Sequence, residues 1–440
     1  MKKWIIGIFI LIALIFCLPY LASIPPLKQL VLRMAEKKLD AKLNVTHLRL
    51  SWFGPQKANG VKFQTKDFNG TFDEINVNSP LWDIQKNFTL IGGHIQVPQS
   101  QASLENIDAQ ITGAQIQATG ITRLSDQTGN FSIQGTMDTK DDFSFTFDMT
   151  QMPTAIADWF FKSNGMLQAA IGPNFNLKGT SFEKNGSGNI DLDLTTPTAK
   201  ASLNAAVTPT AIVLQKPLDI MLNLTPKNSL LLTNNKAAVT GEDPITLRVS
   251  PTNCAMARPF ALDKIKVCRG SLSLGRIRLQ NADYLSGLSI FLKTDKLDTR
   301  EVDAWIGKIN FSLEDGKLDL ARIDALFANS IHLCAWGQTN ITNQTLNMIL
   351  GVPADTLSRS FSIRNVSTRY VLQIPMTGTY KNPQLDTASA TAKIAAIIAA
   401  GKVQKQGGIL GGVATVLNQA AQEKAPSPVS PYPPFPWDVD

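Results

Sequence analysis

From about residue 43 to residue 386, apolar and polar side chains alternate along the chain with a period of two. Successive side chains of a β-strand point to opposite faces, so this period predicts strands with one apolar face and one solvated face. Turn residues recur at short intervals, which favours antiparallel hairpins. The clearest apolar positions are Phe143, Phe145, Phe147, Ile190, Leu192, Leu194, Leu222 and Leu224.

The apolar strand faces need a cover, and three architectures would provide one. A second sheet packed face to face, closure into a barrel, or a curled sheet that holds lipid tails would each remove these faces from water. The alternation is compatible with all three. Irregular strand spacing and an apolar N-terminus make an outer-membrane barrel the weakest of them.

Four glycine-containing pairs predict turns between the strands. They are Asn69-Gly70, Gly92-Gly93, Asn185-Gly186 and Asp315-Gly316.

Two segments, 152–171 and 299–307, interrupt the alternation, and we interpret both as short helices. The pieces that follow them, 171–177 and 306–313, resemble each other. We interpret this as a weak internal duplication, in which a short helix leads into a new run of strands.

The extreme N-terminus carries Lys2 and Lys3 and then an uncharged apolar run at 4–24. As a helix this run would be about 30 Å long, the thickness of a bilayer core. A cleaved signal peptide is the alternative, but Tyr20 precedes Ala22 where a cleavage site needs a small residue. We therefore expect an uncleaved anchor at 1–26 with its N-terminus in the cytoplasm.

The segment 27–42 predicts an amphipathic helix. Leu27, Leu30, Val31 and Met34 fall on one helical face, and basic residues lie on the other. This helix either lies on the outer leaflet of the inner membrane or packs on the first strands, and both alternatives stand.

The net charge of +7 is concentrated beside the apolar N-terminus. Eight lysines and arginines lie between residues 27 and 62, against only Glu36 and Asp40, and the rest of the chain is close to neutral. This distribution favours an anionic lipid surface over nucleic acid, which would need a basic stripe through the body of the protein. We expect a phospholipid bilayer as partner and no nucleic acid.

The chemically reactive residues form no recognisable catalytic or metal motif. Cys254 and Cys268 close a short loop and could form a disulfide in an oxidising compartment, with two buried thiols as the alternative. His332, Cys334 and Trp336 share one face of an expected strand, where packing is favoured over ligation. Without a phosphate loop, nucleophile elbow or paired-histidine motif, we expect no catalytic residue, no cofactor, no metal and no enzyme activity.

Both ends of the chain resemble the AsmA-like family of Gram-negative envelope proteins. The letters LNVT and LRLSWF within 43–53 are similar to that family's opening strands after the anchor. The letters DGKLDL, GQTNI and QTLN within 311–353, and IPMTGT at 374–379, resemble its C-terminal domain. The resemblance implies a curled β groove with an apolar interior, anchored in the inner membrane and linked to phospholipid movement and outer-membrane assembly.

Taken together, these patterns predict a mainly β chain with an N-terminal transmembrane helix, an elongated curled antiparallel sheet, short helical interruptions and C-terminal helices. The expected segments are an anchor at 1–26, an amphipathic helix at 27–42, a β-groove region at 43–298, an AsmA-like β domain at 299–386, Ala/Gly-rich helices at 387–424 and a Pro-rich tail at 425–440.

The expected function is lipid handling in the envelope. The bulk of the chain would lie in the periplasm behind a single inner-membrane span, and its groove would bind acyl chains during phospholipid transport or outer-membrane assembly. The alternative is a structural scaffold with a closed β-sandwich core and no lipid cargo. The C-terminal helices and the Pro-rich tail are the expected contacts for envelope protein partners.

Overall fold

The computed structural model is mainly β, as the alternation predicts, and its strands pair antiparallel throughout the described part of the chain. The structure describes residues 25–66, 68–81, 87–97, 102–139, 142–161, 163, 165–232, 238–258, 262–280, 284–363, 366–380, 382–406, 423 and 426–429. The chain divides into two compact units, an N-terminal unit, Met1–Pro197, and a C-terminal unit, Thr198–Asp440.

The N-terminal unit contains a ten-strand antiparallel meander in which each strand pairs with the next along the chain. The described strands are β1 Lys42–Arg49, β2 Gln56–Gln64, β3 Asn69–Val77, β4 Asn87–Val97, β5 Ala102–Thr112, β6 Gln115–Leu124, β7 Gln127–Thr139, β8 Asp142–Pro153, β9 Asn174–Lys184 and β10 Ser187–Thr195.

Three described helices accompany this sheet: α1 Pro25–Leu39 before it, and α2 Thr154–Phe161 and α3 Met166–Ile171 between β8 and β9. The Trp159 ring of α2 meets the Phe68 ring, which precedes β3, edge to face at 6.5 Å between centroids. The Phe63 ring contacts Phe68 and stacks on Phe72. Helix α2 therefore covers the strand ends beside the β2–β3 turn.

Burial in the N-terminal unit is deepest near these covered strand ends. Less than one tenth of the residue surface is exposed at each of Val45, Val61, Ala102, Ile107 and Met152. The buried hydroxyl of Thr122 donates to the sulfur of Met152 at 3.5 Å, at the position where β8 passes into α2.

The C-terminal unit has shorter strands that pair partly out of chain order, followed by a regular meander from β20 to β25. Its strands are β11 Ala199–Val207, β12 Ala211–Leu214, β13 Leu218–Leu222, β14 Ala238–Gly241, β15 Ile245–Val249, β16 Ala255–Ala257, β17 Ile265–Ser273, β18 Gly275–Gln280, β19 Glu301–Ile306, β20 Ile309–Glu314, β21 Lys317–Phe327, β22 Ile331–Asn340, β23 Thr345–Pro353, β24 Val371–Thr379 and β25 Asn382–Leu385.

Helices close the core of this second unit. They are α4 Pro226–Leu232, α5 Tyr284–Leu292, α6 Ala354–Phe361 and α7 Thr387–Gln406, with a 3-10 turn at Leu262–Lys264. Leu292 of α5, Leu357 of α6 and Ala390 of α7 are fully buried in one cluster with strand residues such as Val352 and Leu372. The apolar strand faces here pack against helices of the same chain.

One predicted helix is wrong. Residues 299–307 contain strand β19, and the preceding helix is α5, some ten residues earlier. In β19 the deeply buried Val302 and Ala304 alternate with less buried neighbours, and the strand pairs with β18 and β21 on either side. The ladder bonds on both edges hold this short segment in the extended conformation.

Among the described residues, no helix combines the length and the apolar character that a bilayer crossing needs. The predicted anchor lies almost wholly outside the described residues, which begin with the first turn of α1 at Pro25.

Candidate functional site

A single row of apolar or small side chains crosses all ten strands of the N-terminal unit. The pairing registers place each member directly opposite the next, so their side chains share one face of the sheet. The row runs Leu48, Ala58, Ile75, Leu90, Ala109, Ala118, Ile133, Phe147, Gly179 and Leu192. We call the sheet face that carries this row the apolar face.

A second row extends the apolar face by one pleat. It runs Val77, Phe88, Ile111, Ile116, Gly135, Phe145, Ser181 and Ile190. The neighbouring positions point to the opposite face and are polar. They run Asn76, Thr89, Gln110, Gln117, Gln134, Thr146, Thr180 and Asp191.

Every member of the ten-strand row is half-buried, and none reaches the burial of a packed core. The clusters of fully buried apolar side chains found among the described residues all lie in the C-terminal unit. A packed core leaves such side chains almost without solvent contact. The apolar face is therefore a sheet surface that its own unit covers only in part.

The sequence-predicted positions Phe143, Phe145, Phe147, Ile190, Leu192 and Leu194 all lie on this face. The three phenylalanines form a file along β8, with centroid separations of 5.8 and 6.1 Å. On β10, which β9 separates from β8, the three aliphatic positions alternate with exposed polar ones. The structure thus brings six of the eight candidates together.

The remaining two candidates, Leu222 and Leu224, belong to the C-terminal unit. Leu224 is 8% exposed and packs in the main buried cluster with Val239 and Ile277. Alternation alone does not separate a strand covered by its own chain from one that is left open, so these two were grouped with the others.

Sequence reasoning missed a partly buried ionic cluster in the C-terminal unit. It joins β21, β22 and α6 through Arg322, Asp324, His332 and Asp355. The Arg322 guanidinium donates to the fully buried Asp324 carboxylate, with Nη2 2.7 Å from Oδ1. His332 Nε2 lies 2.9 Å from the same Oδ1, and its Nδ1 lies 3.5 Å from Asp355 Oδ1. The two cations and two carboxylates balance in charge.

These contacts set the ionisation of the cluster. Burial lowers the pKa of His332, but hydrogen bonds to Asp324 and Asp355 outweigh it and raise the pKa to about 9. Burial raises the pKa of Asp355, but the hydrogen bond and charge of His332, the Thr356 backbone N–H and the charge of Arg359 together outweigh burial and lower it. A pKa of about 9 keeps His332 mainly in the imidazolium form at neutral pH.

The neighbouring Cys334 is part of the apolar packing. Burial, followed by the charges of Asp324 and Asp355, raises its pKa to about 12 against the opposing effect of Arg322, so it stays a thiol. It packs with Trp336 and Val371. The described residues contain no group of three or more His, Cys, Asp or Glu side chains arranged to hold a metal ion.

The expected Cys254–Cys268 disulfide stays a prediction. Cys254 is buried beside Val249 and Val267. The side chain of Cys268 lies outside the described residues.

The described part of the C-terminal tail lies against its own unit. The Glu423 carboxylate accepts hydrogen bonds from the Gln373 backbone N–H at 3.0 Å and the Tyr370 hydroxyl at 3.3 Å, and pairs with Lys393. Farther along, Arg322 Nη1 donates to the Pro428 carbonyl at 3.1 Å. Glu423 belongs to the segment predicted as Ala/Gly-rich helices, and Pro428 belongs to the predicted Pro-rich tail. Both residues are tied to the C-terminal unit by these contacts.

Comparison of the chain with protein-family models, with curated proteins and with solved structures returns no match. The fold and the candidate site by themselves define an antiparallel β protein with one open apolar sheet face in one unit and a helix-covered core in the other. The AsmA-like resemblance rests on the quoted sequence motifs.

Proposed function

We propose that this chain binds the acyl chains of phospholipids on the apolar face of its N-terminal unit, and that it takes part in phospholipid transport or outer-membrane assembly. The observation that carries the proposal is the ten-strand row of half-buried apolar side chains. Water in contact with so large an apolar surface is unfavourable, and acyl chains of a bound lipid would replace it.

The chemistry of the two sheet faces supports this role. The polar side chains of the opposite face keep the unit soluble on its outer side, whereas the apolar face carries no charge along its central row. A surface of this kind recognises hydrocarbon without specifying its length, because dispersion contacts and water release have no directional requirement.

We further propose that the protein is non-enzymatic and is held in the inner membrane by the apolar segment at 4–24, with its bulk in the periplasm. The apolar run of bilayer length and the basic pair Lys2 and Lys3 before it support this placement. The basic residues after the run favour the opposite orientation, but long domains are translocated largely regardless of charge. The AsmA-like resemblance of the chain ends points the same way.

A structural scaffold is the second candidate function, and one observation favours it for the C-terminal unit. There the helices α5, α6 and α7 bury the strand faces in a packed core, which leaves no comparable open surface around residues such as Leu372 and Ile374. In that case this unit would position partners or the N-terminal unit and would hold no lipid.

Placing a charge on the apolar face tests the proposal. The L192E variant puts a carboxylate in the ten-strand row on β10. The control T146E puts a carboxylate on the polar face, on β8. We expect mild extraction of the full chain followed by lipid mass spectrometry to show at least a threefold loss of bound phospholipid for L192E. T146E should retain the wild-type amount.

Lipid around the membrane anchor is common to both variants and cancels in this comparison. Circular dichroism and thermal unfolding would show whether L192E stays folded, as an open face predicts. Equal lipid retention by folded L192E and T146E would contradict the proposal. Complete unfolding of L192E would instead indicate that the row is a closed core, and would favour the scaffold.

A further inference from the structure

Helix α1 is held against β1 in a fixed rotation by two side-chain hydrogen bonds. Lys28 Nζ donates to the Thr46 carbonyl at 2.9 Å, and the Leu43 backbone N–H donates to Glu36 Oε1 at 2.8 Å. Lys28 and Glu36 lie about two helical turns apart, so bonds at both positions fix which side of the helix faces the strand.

This rotation turns the apolar side of α1 away from the sheet. Each helical residue advances by about 100°, so a helix that points Lys28 and Glu36 at β1 places positions 30 and 34 on the far side. The exposures agree, because Leu32 is half-buried whereas Leu30 is 56% and Met34 70% exposed. Packing on β1 therefore does not use the Leu30 and Met34 side chains.

A third large apolar side chain is exposed near the C-terminal end of β1, beside the start of α1. Phe53, in the connection from β1 to β2, is 71% exposed. Lys28 contacts residue 46 and Glu36 contacts residue 43, so α1 runs antiparallel to β1. The start of α1 thus lies beside the end of β1 from which the connection carrying Phe53 departs.

We infer that Leu30, Met34 and Phe53 form a membrane-docking surface that rests on an anionic phospholipid leaflet. Arg33 and Lys37 are exposed on the same side of α1 and would meet the lipid headgroups. The inference does not depend on lipid binding by the apolar face.

Two observations select a lipid leaflet over a second copy of the chain. The uncharged run at 4–24 ends directly before α1, so its insertion would hold this surface within a few residues of the bilayer. A symmetric contact between two copies would bring the Arg33 and Lys37 side chains of each copy into one interface, which like charges oppose.

Quenching by brominated lipids tests the inference in the full chain. A fluorescent amino acid is installed at position 34, at position 53 or, as control, at position 290 in separate preparations reconstituted into phosphatidylglycerol–phosphatidylcholine nanodiscs. Ile290 is 80% exposed on α5 and has no part in the proposed surface. We expect brominated acyl chains to quench positions 34 and 53 at least threefold more than position 290.

Equal quenching at all three positions, or none at 34 and 53, would overturn the inference. Fluorescence energy transfer between two copies at position 34 without lipid quenching would assign the surface to self-association and would also overturn it.

The charge component has its own measurement. R33E/K37E should reduce quenching at position 34 at least twofold in nanodiscs that contain phosphatidylglycerol, and should leave it unchanged in pure phosphatidylcholine. An unchanged signal in the anionic nanodiscs would contradict the headgroup contact. L192E, which alters the apolar face, should leave the quenching at position 34 intact, so failure of docking and failure of acyl-chain binding are read separately.

Discussion

At the residue scale, His332 couples the stability of the C-terminal unit to pH. Its folded pKa of about 9 lies above the ordinary histidine value of 6.5, so the charged form is favoured by folding. The resulting stabilisation is fully present below pH 6.5 and is lost as the pH rises through 9. Its size is on the order of 2–3 kcal/mol for a group this well buried.

The H332Q variant removes this charge while it keeps a side chain that can hydrogen-bond. We expect the free energy of unfolding of the wild-type protein to fall between pH 6.5 and 9, and the profile of H332Q to be flatter over this interval. Urea unfolding followed by tryptophan fluorescence at several pH values would measure both. H47Q, at an exposed position on β1, should keep the wild-type slope. If the unfolding free energy of H332Q fell with pH as steeply as that of the wild type, His332 would not be the source of the pH dependence.

Glycine-containing pairs show what single residues predict and what they do not. The pairs at 185–186 and 315–316 form the expected tight turns, because all four residues adopt positive φ. Gly92 also has positive φ, but it lies inside β4, where the register shifts beside it. Gly70 is the second residue of β3, and a Cβ there would come within 2.2 Å of the Phe63 ring. Gly92 is thus explained by an irregularity in strand pairing and Gly70 by a tertiary contact. Local sequence specifies neither of these.

The ionic cluster was invisible in the sequence for a related reason. Arg322 and Asp324 are two residues apart, but His332 joins them only through the pairing of β21 with β22. Asp355 arrives from α6 after a further strand. Charged residues on alternating strands are ordinary on a solvated face, so only the three-dimensional packing distinguishes this buried group.

At the scale of elements, the covering of a strand decides how much its apolar residues contribute to stability. Leu357 in α6 is fully buried, whereas Leu192 in β10 is half-buried. Truncating a buried leucine removes both its transfer free energy and its neighbours' contacts, which costs about 3 kcal/mol. The same truncation on a half-open face costs about 1 kcal/mol.

L357A and L192A compare these two situations with one chemical change. We expect L357A to lower the free energy of unfolding of the C-terminal unit about threefold more than L192A lowers that of the N-terminal unit. Chemical denaturation followed by hydrogen exchange, which separates the two units, provides the measurement. Equal losses would show that the apolar face is packed as tightly as the helix-covered core.

The sequence predicted elements best where periodicity was long. The ten-strand meander follows from alternation sustained over most of the N-terminal unit, and α2 and α3 fall within the predicted break at 152–171. Segment 299–307 has too few residues for a period to be read, and its two strand neighbours decide its conformation. The fold class was thus predictable, whereas the division into an open and a covered unit was not, because the alternation of side chains does not show which strand faces the helices cover.

At the scale of the whole molecule, the two units differ in how their apolar strand faces are covered. Both alternate apolar and polar positions, but among the described residues the helices that bury the apolar side in a packed cluster belong to the C-terminal unit. In the N-terminal unit, α2 covers one set of strand ends and the ten-strand row stays half-exposed. We therefore propose lipid binding for the first unit and a packed, structural role for the second.

Site-specific photo-crosslinking to lipid tests this assignment most directly. A photoreactive amino acid is placed at Ile133 or Phe147 in the apolar row, or at Val352 or Leu372 in the covered core, and the full chain is irradiated in native membranes. Mass spectrometry of the isolated protein should find phospholipid adducts at the first two positions and adducts within the protein at the last two. Lipid adducts absent from the apolar row, or equally frequent at both sets of positions, would contradict the account.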